Sequence, residues 1–332
     1  MALKTWSAEE LLACCRAGRL EEQFAAPLGD GVVLLLLEGN DGLSDAERRA
    51  LRGWLRRAPC PVIGIGDTEL PLAGYCDLCA GSEAEALALA ERIQRWPGAA
   101  RVLVQTLRAS EQLSPEQGLD LESLAYATLQ GGQEHRAWLA SRPAPAPPAL
   151  ETGAPLLVTR SGQRLCLSLN RPRNHNALSA ALRDALFEAL TCLALDPDIE
   201  QCELRARGDC FSIGGDLSEF GLVPDTTTAH LLRGARSPAR LLLREAGRVT
   251  VYVHRACIGA GIEIPACAGR VVAERNAWFQ LPELSMGLIP GAGGCVSVSR
   301  RIGRQRTAWM VVSGRRVKAA EALRWGLIDE IA

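Results

Sequence analysis

Short apolar runs bounded by turn residues alternate with amphipathic stretches along this chain, and that alternation restricts it to the α/β class. Gly31–Glu38 (GVVLLLLE) and Pro61–Gly66 (PVIGIG) each read as a buried strand. Between them Ser44–Ala58 has helical periodicity, with Ser44 as its cap. This is a β-α-β unit, hence a piece of parallel sheet. Upstream, Ser7-x-x-Glu10 reads as a capping box opening a helix that runs to about Phe24. Residues 83–142 change texture to strongly amphipathic helix, and their punctuation at Pro97-Gly98 and before Pro115 predicts three helices.

Arg142–Ala149 (RPAPAPPA) is the clearest linker, because alternating proline favours extended polyproline II. A domain boundary is expected there. Strand and helix signals then alternate again. Gln163–Asn170, Ile199–Ala206, Val249–His254 and Arg270–Glu274 read as strands; Ser179–Ala194 and Ala260–Ala268 read as helices. A length of 332 residues fits about two domains.

Composition removes several function classes. With 48% apolar and 23% charged residues the chain can build a sizeable core. A net charge of −1 gives no electrostatic case for nucleic acid or an anionic membrane surface. Lys4 and Lys318 are the only lysines, so any anion in a ligand falls to arginine forks. The 12 cysteines are scattered through apolar runs, where cysteine acts as a small hydrophobe. Cys76-x-x-Cys79 has no second pair, and the four histidines lack metal-ligand spacing, so no metal is expected. Residues 1–12 carry acids where a signal peptide is apolar, and Val32–Leu37 is too short to cross a bilayer. A cytoplasmic setting is the expectation.

Chemistry concentrates in two glycine turns, Phe211-Ser-Ile-Gly-Gly-Asp216 and Ile258-Gly-Ala-Gly-Ile-Glu263, each between a strand and a helix. Glycine lets a ligand approach the backbone, and free N–H groups at a helix start suit an oxygen carrying negative charge. Two such turns facing each other would form a two-donor oxyanion hole. Neither is a dinucleotide fingerprint, and no Gly-Lys-Ser/Thr loop or G-x-S-x-G elbow occurs. Glu263 and Glu283 both sit among apolar and turn residues, where a carboxylate must be paired, protonated or functional. Together they read as a general acid/base pair.

Five stretches, in order, resemble the crotonase (enoyl-CoA hydratase/isomerase) superfamily. They are Leu169-Asn-Arg-Pro…Asn176-Ala-Leu178; Gly208-Asp-Cys-Phe-Ser-Ile-Gly-Gly-Asp216; Gly259-Ala-Gly-Ile-Glu263; Phe279-Gln-Leu-Pro-Glu283 with Gly287-Leu-Ile-Pro-Gly-Ala-Gly-Gly294; and Ser313-Gly…Gly326-Leu-Ile-Asp329. The resemblance implies a ββα spiral core over 156–332. It implies oxyanion donors at the Ile213 and Ala260 amides, where the family has glycine in place of Ala260. It implies Glu263 and Glu283 as catalytic acids, and substrate contacts around Gly214, Gly215, Asp216 and Gly259. Arg171 and Arg173 fall near the family's coenzyme A-binding loop.

Keeping both glutamates favours hydration of a 2-enoyl-CoA. Isomerase, thioester hydrolase or C–C hydrolase chemistry, or a non-catalytic acyl-CoA-binding subunit, are the alternatives. No cofactor is implied beyond the coenzyme A of the substrate, and the implied assembly is a homotrimer or hexamer. Family members carry a helical tail past the position of Asp329, and residues 83–142 resemble that tail. A rearranged, circular-permutation-like order is therefore expected: 1–82 a helix plus a degenerate β-α-β copy of the core (its copied part 27–82), 83–142 the tail helices, 143–155 the linker, 156–332 the core.

Overall fold

The computed structural model describes residues 3–16, 24–25, 29–38, 42–143 and 149–332. Among the described residues a parallel sheet, a mostly parallel one and a small third one hold the chain together. The N-terminal sheet contains β1 (Thr5–Trp6), β2 (Val33–Leu36), β3 (Val62–Ile65) and β4 (Leu78–Ala80), adjacent in chain order and all parallel. Side chains alternate along β2. Val33 and Leu35 face α1 (Ala8–Arg16) and α2 (Asp45–Leu55), while Leu34 faces the main core. The capping box at Ser44 forms as expected, with Ser44 and Glu47 exchanging side-chain bonds to each other's amides. The expected run of the first helix from Arg16 to Phe24 lies largely outside the described residues.

Four helices follow rather than three: α3 (Glu83–Arg95), α4 (Pro97–Ser110), α5 (Pro115–Gln130) and α6 (Gln133–Ser141). The break falls at Gly131-Gly132, where two glycines weaken the helix and Gly132 takes an extended conformation as the N-cap of α6. Residues 144–148 of the proline-rich stretch lie outside the described residues.

The core sheet has six strands: β5 (Leu156–Ser161), β6 (Arg164–Leu169), β7 (Gln201–Ala206), β8 (Val249–Val253), β10 (Arg270–Ala273) and β13 (Glu330–Ile331), in the order β13-β10-β8-β7-β6-β5. All pairs are parallel except the β5–β6 hairpin, whose first strand is absent from the expected set. A three-stranded sheet stacks β9 (Ala256–Ile258) beside β11 (Trp278–Gln280), with β12 (Val317–Lys318) at its edge. Helices α7 (Ala180–Leu195), α8 (Thr226–Ala235), α9 (Pro238–Arg244), α11 (Gly294–Ile302), α12 (Arg304–Ser313) and α13 (Ala319–Trp325) surround these sheets. The helix expected over Ala260–Ala268 is interrupted. Its regular turn, α10, ends at Glu263, and Pro265, which has no N–H to donate, opens a separate 3-10 turn.

One buried core runs from Leu34, Ile63 and Leu78 through Ile93, Leu103 and Leu119 to Val251, Phe279 and Val311. The N-terminal sheet, the helical segment and the C-terminal sheets therefore share a core across the proline-rich stretch. Among the described residues no helix is long and apolar enough to cross a membrane. The Cys76 and Cys79 thiols donate to the carbonyls of Leu72 and Ala73, and burial pushes both thiols up, as for structural cysteines.

Candidate active site

The first glycine turn is stitched to the small sheet. Ser212 donates its amide to the Ala256 carbonyl (3.2 Å), and Ile258 donates to that of Ser212 (3.0 Å). Behind it, Asn176 donates its side-chain amide to the carbonyls of Arg207 (2.8 Å) and Cys210 (3.1 Å). Gly214 has φ +91°, and a Cβ there would stand 2.8 Å from the Ile258 carbonyl oxygen and 3.6 Å from the Ala260 nitrogen. Only glycine lets the two turns approach so closely.

The second turn is formed by Gly259 (φ 50°), whose carbonyl accepts from Ile262 and Glu263. Ala260 is the first residue of α10, so its amide has no acceptor within the helix. The Ile213 amide is engaged: it donates to the His175 carbonyl (3.2 Å). His175 and Asn176 both have positive φ (50° and 52°), which aims that carbonyl back at the turn. The structure thus brings the two expected donors into adjacent turns but gives one of them an internal partner.

Both glutamates converge on Gly259. A Cβ on Gly259 would lie 2.7 Å from Glu283 Oε1 and 3.8 Å from Glu263 Oε1. Glu263 Oε2 accepts the amides of Ala292 (2.7 Å) and Gly294 (2.9 Å). Burial raises the Glu263 carboxyl to about 7, against the pull of those amides and of Arg233. Glu283 is also buried, and its Oε2 has no hydrogen-bond partner among the described residues. Burial and then the charge of Glu263 push it well above the ordinary carboxylate range. Three backbone amides oppose the shift at Glu263, whereas at Glu283 only its own amide does, so the two acids sit in unequal environments.

A third carboxylate completes the cluster. Glu122 of α5 is buried and accepts the amides of Gly293 and Cys295, both at 2.7 Å. Successive amides of the 292–295 loop thus go alternately to Glu263 and Glu122. Burial, then the charge of Glu263, raises Glu122 to about 8. Glu122 was not among the expected site residues. Its signal was an acid on the apolar face of α5, in register with Leu119 and Leu129.

These groups line a cavity of about 720 Å³ that also takes in Ile213, Gly214, Gly215, Asp216, Gly259, Ala260, Arg173, Tyr126 and Arg233. Two expected contacts have other work. Arg171 is nearly buried; it donates to the Ala177 carbonyl (3.1 Å) and pairs with Asp216 (3.2 Å), so it clips the first turn instead of lining the cavity. Burial opposes ionisation of Asp216, but the Ser218 hydroxyl and amide and then Arg171 hold it below its ordinary value. Arg173 does line the cavity and donates to the Leu150 carbonyl (3.3 Å).

Comparison with known proteins follows the same region of the chain. The family profile described as enoyl-CoA hydratase/isomerase matches residues 163–332. The 2,3-dehydroadipyl-CoA hydratase of Escherichia coli (strain K12) is 33% identical over 177 residues, 53% of this chain and 68% of that protein. The mevalonyl-coenzyme A hydratase sidH of Aspergillus fumigatus is 31% identical over 173 residues, 50% of this chain and 62% of that protein. An enoyl-CoA hydratase crystal structure from Mycobacterium smegmatis aligns with TM-score 0.50 at 32% identity, over 54% of this chain and 70% of its own. The matched profile, with relatives of which this chain spans roughly two thirds, agrees with the spiral core and its glycine turns: the chain belongs to the enoyl-CoA hydratase/isomerase family and is a hydratase-like enzyme of acyl-CoA chemistry.

Proposed function

We propose that the chain catalyses reversible addition of water across the 2,3-double bond of a 2-enoyl-CoA. The observation that carries this reading is the convergence of Glu263 and Glu283 on Gly259, in contact with the turn of Gly214. In this mechanism the thioester oxygen takes the Ala260 amide and shares the Ile213 amide with the His175 carbonyl. Charge grows on that oxygen in the enolate-like transition state, where donors count most. Glu263 accepts a proton from water as its oxygen bonds to C3. Glu283 gives its proton to C2. The pair ends with Glu263 protonated and Glu283 ionised, and resets by proton exchange after product leaves. Relatives named as hydratases support addition of water over the other reactions of the family.

The helical segment 83–142 supplies one wall of this cavity through α5. That packing supports reading it as the family's tail in a rearranged order. A homotrimer or hexamer belongs to the same reading, and sedimentation would report it.

The test is hydration of a panel of 2-enoyl-CoA thioesters, followed by loss of the conjugated thioester absorbance. Wild type should turn over. Glu263→Gln and Glu283→Gln should each lose about 10²–10⁴-fold in kcat, the usual worth of a positioned acid or base. Because Glu263 must be ionised, kcat/KM should fall as the pH drops below about 7. An inert wild type, or full activity in either glutamine variant, overturns the reading.

A further inference from the structure

We infer that the acyl group this cavity accepts carries a second anion, a carboxylate at the end remote from the thioester, and that Arg233 binds it. The inference rests on the acyl-CoA reading above and names its substrate class.

Among the described residues five arginines line the cavity, and three of them are spent. Arg183 pairs with Asp184, Arg236 with Glu188 and Arg240 with Asp120. Arg173 donates to the neutral Leu150 carbonyl and falls near the coenzyme A-binding loop that the family resemblance implies. Arg233 is different. It reaches from α8 to lie over the ring of Tyr126, 4.3 Å from its centroid. Its guanidinium donates to the Ser123 carbonyl (3.3 Å), the Ser123 hydroxyl (3.1 Å) and Gln130 Oε1 (2.9 Å). All three acceptors are neutral oxygens on α5. Among the described residues it makes no ion pair with a carboxylate, Glu122 and Glu263 included.

A desolvated cation with only neutral acceptors is costly to keep. Burial pulls its pKa down, the direction expected of an under-compensated charge. The three bonds fix the plane of the fork without using all five of its donors. A planar fork held in advance is suited to bidentate capture of a carboxylate. Val223 and Leu232 also line the cavity and, though partly open to solvent, offer apolar surface to such an acyl group. A simple alkyl chain would bring the half-buried guanidinium no charged partner.

Binding of adipoyl-CoA and hexanoyl-CoA, measured by calorimetry, tests this without turnover, since both acyl chains are saturated and equal in length. Wild type should bind adipoyl-CoA about tenfold more tightly or better, as a charge-assisted pair implies. Arg233→Gln should erase that preference, and Arg233→Lys, which keeps the charge and loses the fork, should restore part of it. Thermal unfolding of each variant checks that it is folded, and the lysine variant serves if the glutamine one is not. Equal affinity in wild type overturns the proposal, as does a preference that survives Arg233→Gln. A variant that shifts the acid limb of the hydration pH profile yet keeps the preference overturns it too, because Arg233 is then only a counter-charge to Glu122 and Glu263. Should no enoyl-CoA be hydrated while adipoyl-CoA is still preferred, the hydratase reading fails and the anion site stands.

Discussion

In the N-terminal sheet β1, β2, β3 and β4 follow one another in chain order and run parallel; in the core, β6, β7, β8 and β10 do the same. The two sheets thus share a simple parallel strand order. The chemistry differs because of what lies beyond the strand ends. After β7 the core makes a long excursion that places Ser212–Asp216 against β9, and after β9 it places Glu263 under Gly259. No such second layer of strands stands over β2 and β3, among the described residues. The buried acids show the same contrast. Asp77, between β3 and β4, accepts from the Val62 amide (2.9 Å) and from Arg108 (2.8 Å), and pairs with Arg304 (3.4 Å). Glu283 has an oxygen with no hydrogen-bond partner among the described residues. A saturated buried acid fixes structure; an unsatisfied one beside a cavity is free to exchange a proton.

That contrast can be broken in three places. Asp77→Ala should have the largest effect on stability, about 3–5 kcal/mol in urea unfolding, because it removes the buried carboxylate shared by Arg108 and Arg304 at the junction between the N-terminal unit and α12. A cost below about 1 kcal/mol would mean the acid is not what joins these regions. Glu122→Gln should cost less, about 1–3 kcal/mol, since one of two loop amides loses its acceptor. It also carries a pH signature. The folded value of about 8 lies above the ordinary 4.5, so the folded state holds the extra proton and its stability is fully present below about 4.5. That stability is lost as pH rises through about 8. Urea unfolding across this window should therefore give a flatter curve for Glu122→Gln than for wild type, and parallel curves would remove Glu122 from the coupled cluster. Ser44→Ala should have the smallest effect, about 1 kcal/mol from loss of the cap of α2, with hydration unchanged. A change in turnover there would show that the N-terminal unit reaches the site after all.

Much of the site was legible before any coordinates. Gly214 and Gly259 announce themselves because only glycine takes their backbone angles cheaply, and Glu263 and Glu283 because acids stand out in apolar surroundings. The caps at Ser7 and Ser44 were readable for the same local reason. The misses share a different character. The split at Gly131-Gly132 and the interruption at Pro265 are finer than periodicity resolves. Arg171 was expected at the ligand because its position in the motif says nothing of Asp216, far along the chain. Glu122 meets Gly293 across 171 residues, and Arg233 meets Ser123 across 110.

The amino-acid order alone determined the α/β class, the two glycine turns and the pair of acids, because backbone strain, capping and hydrophobic period act over a few residues. The tertiary structure decided which carboxylates sit together, which amide is already spoken for and which cavity arginines meet only neutral oxygens. Those depend on desolvation and on partners brought from opposite ends of the chain, and no local pattern encodes either.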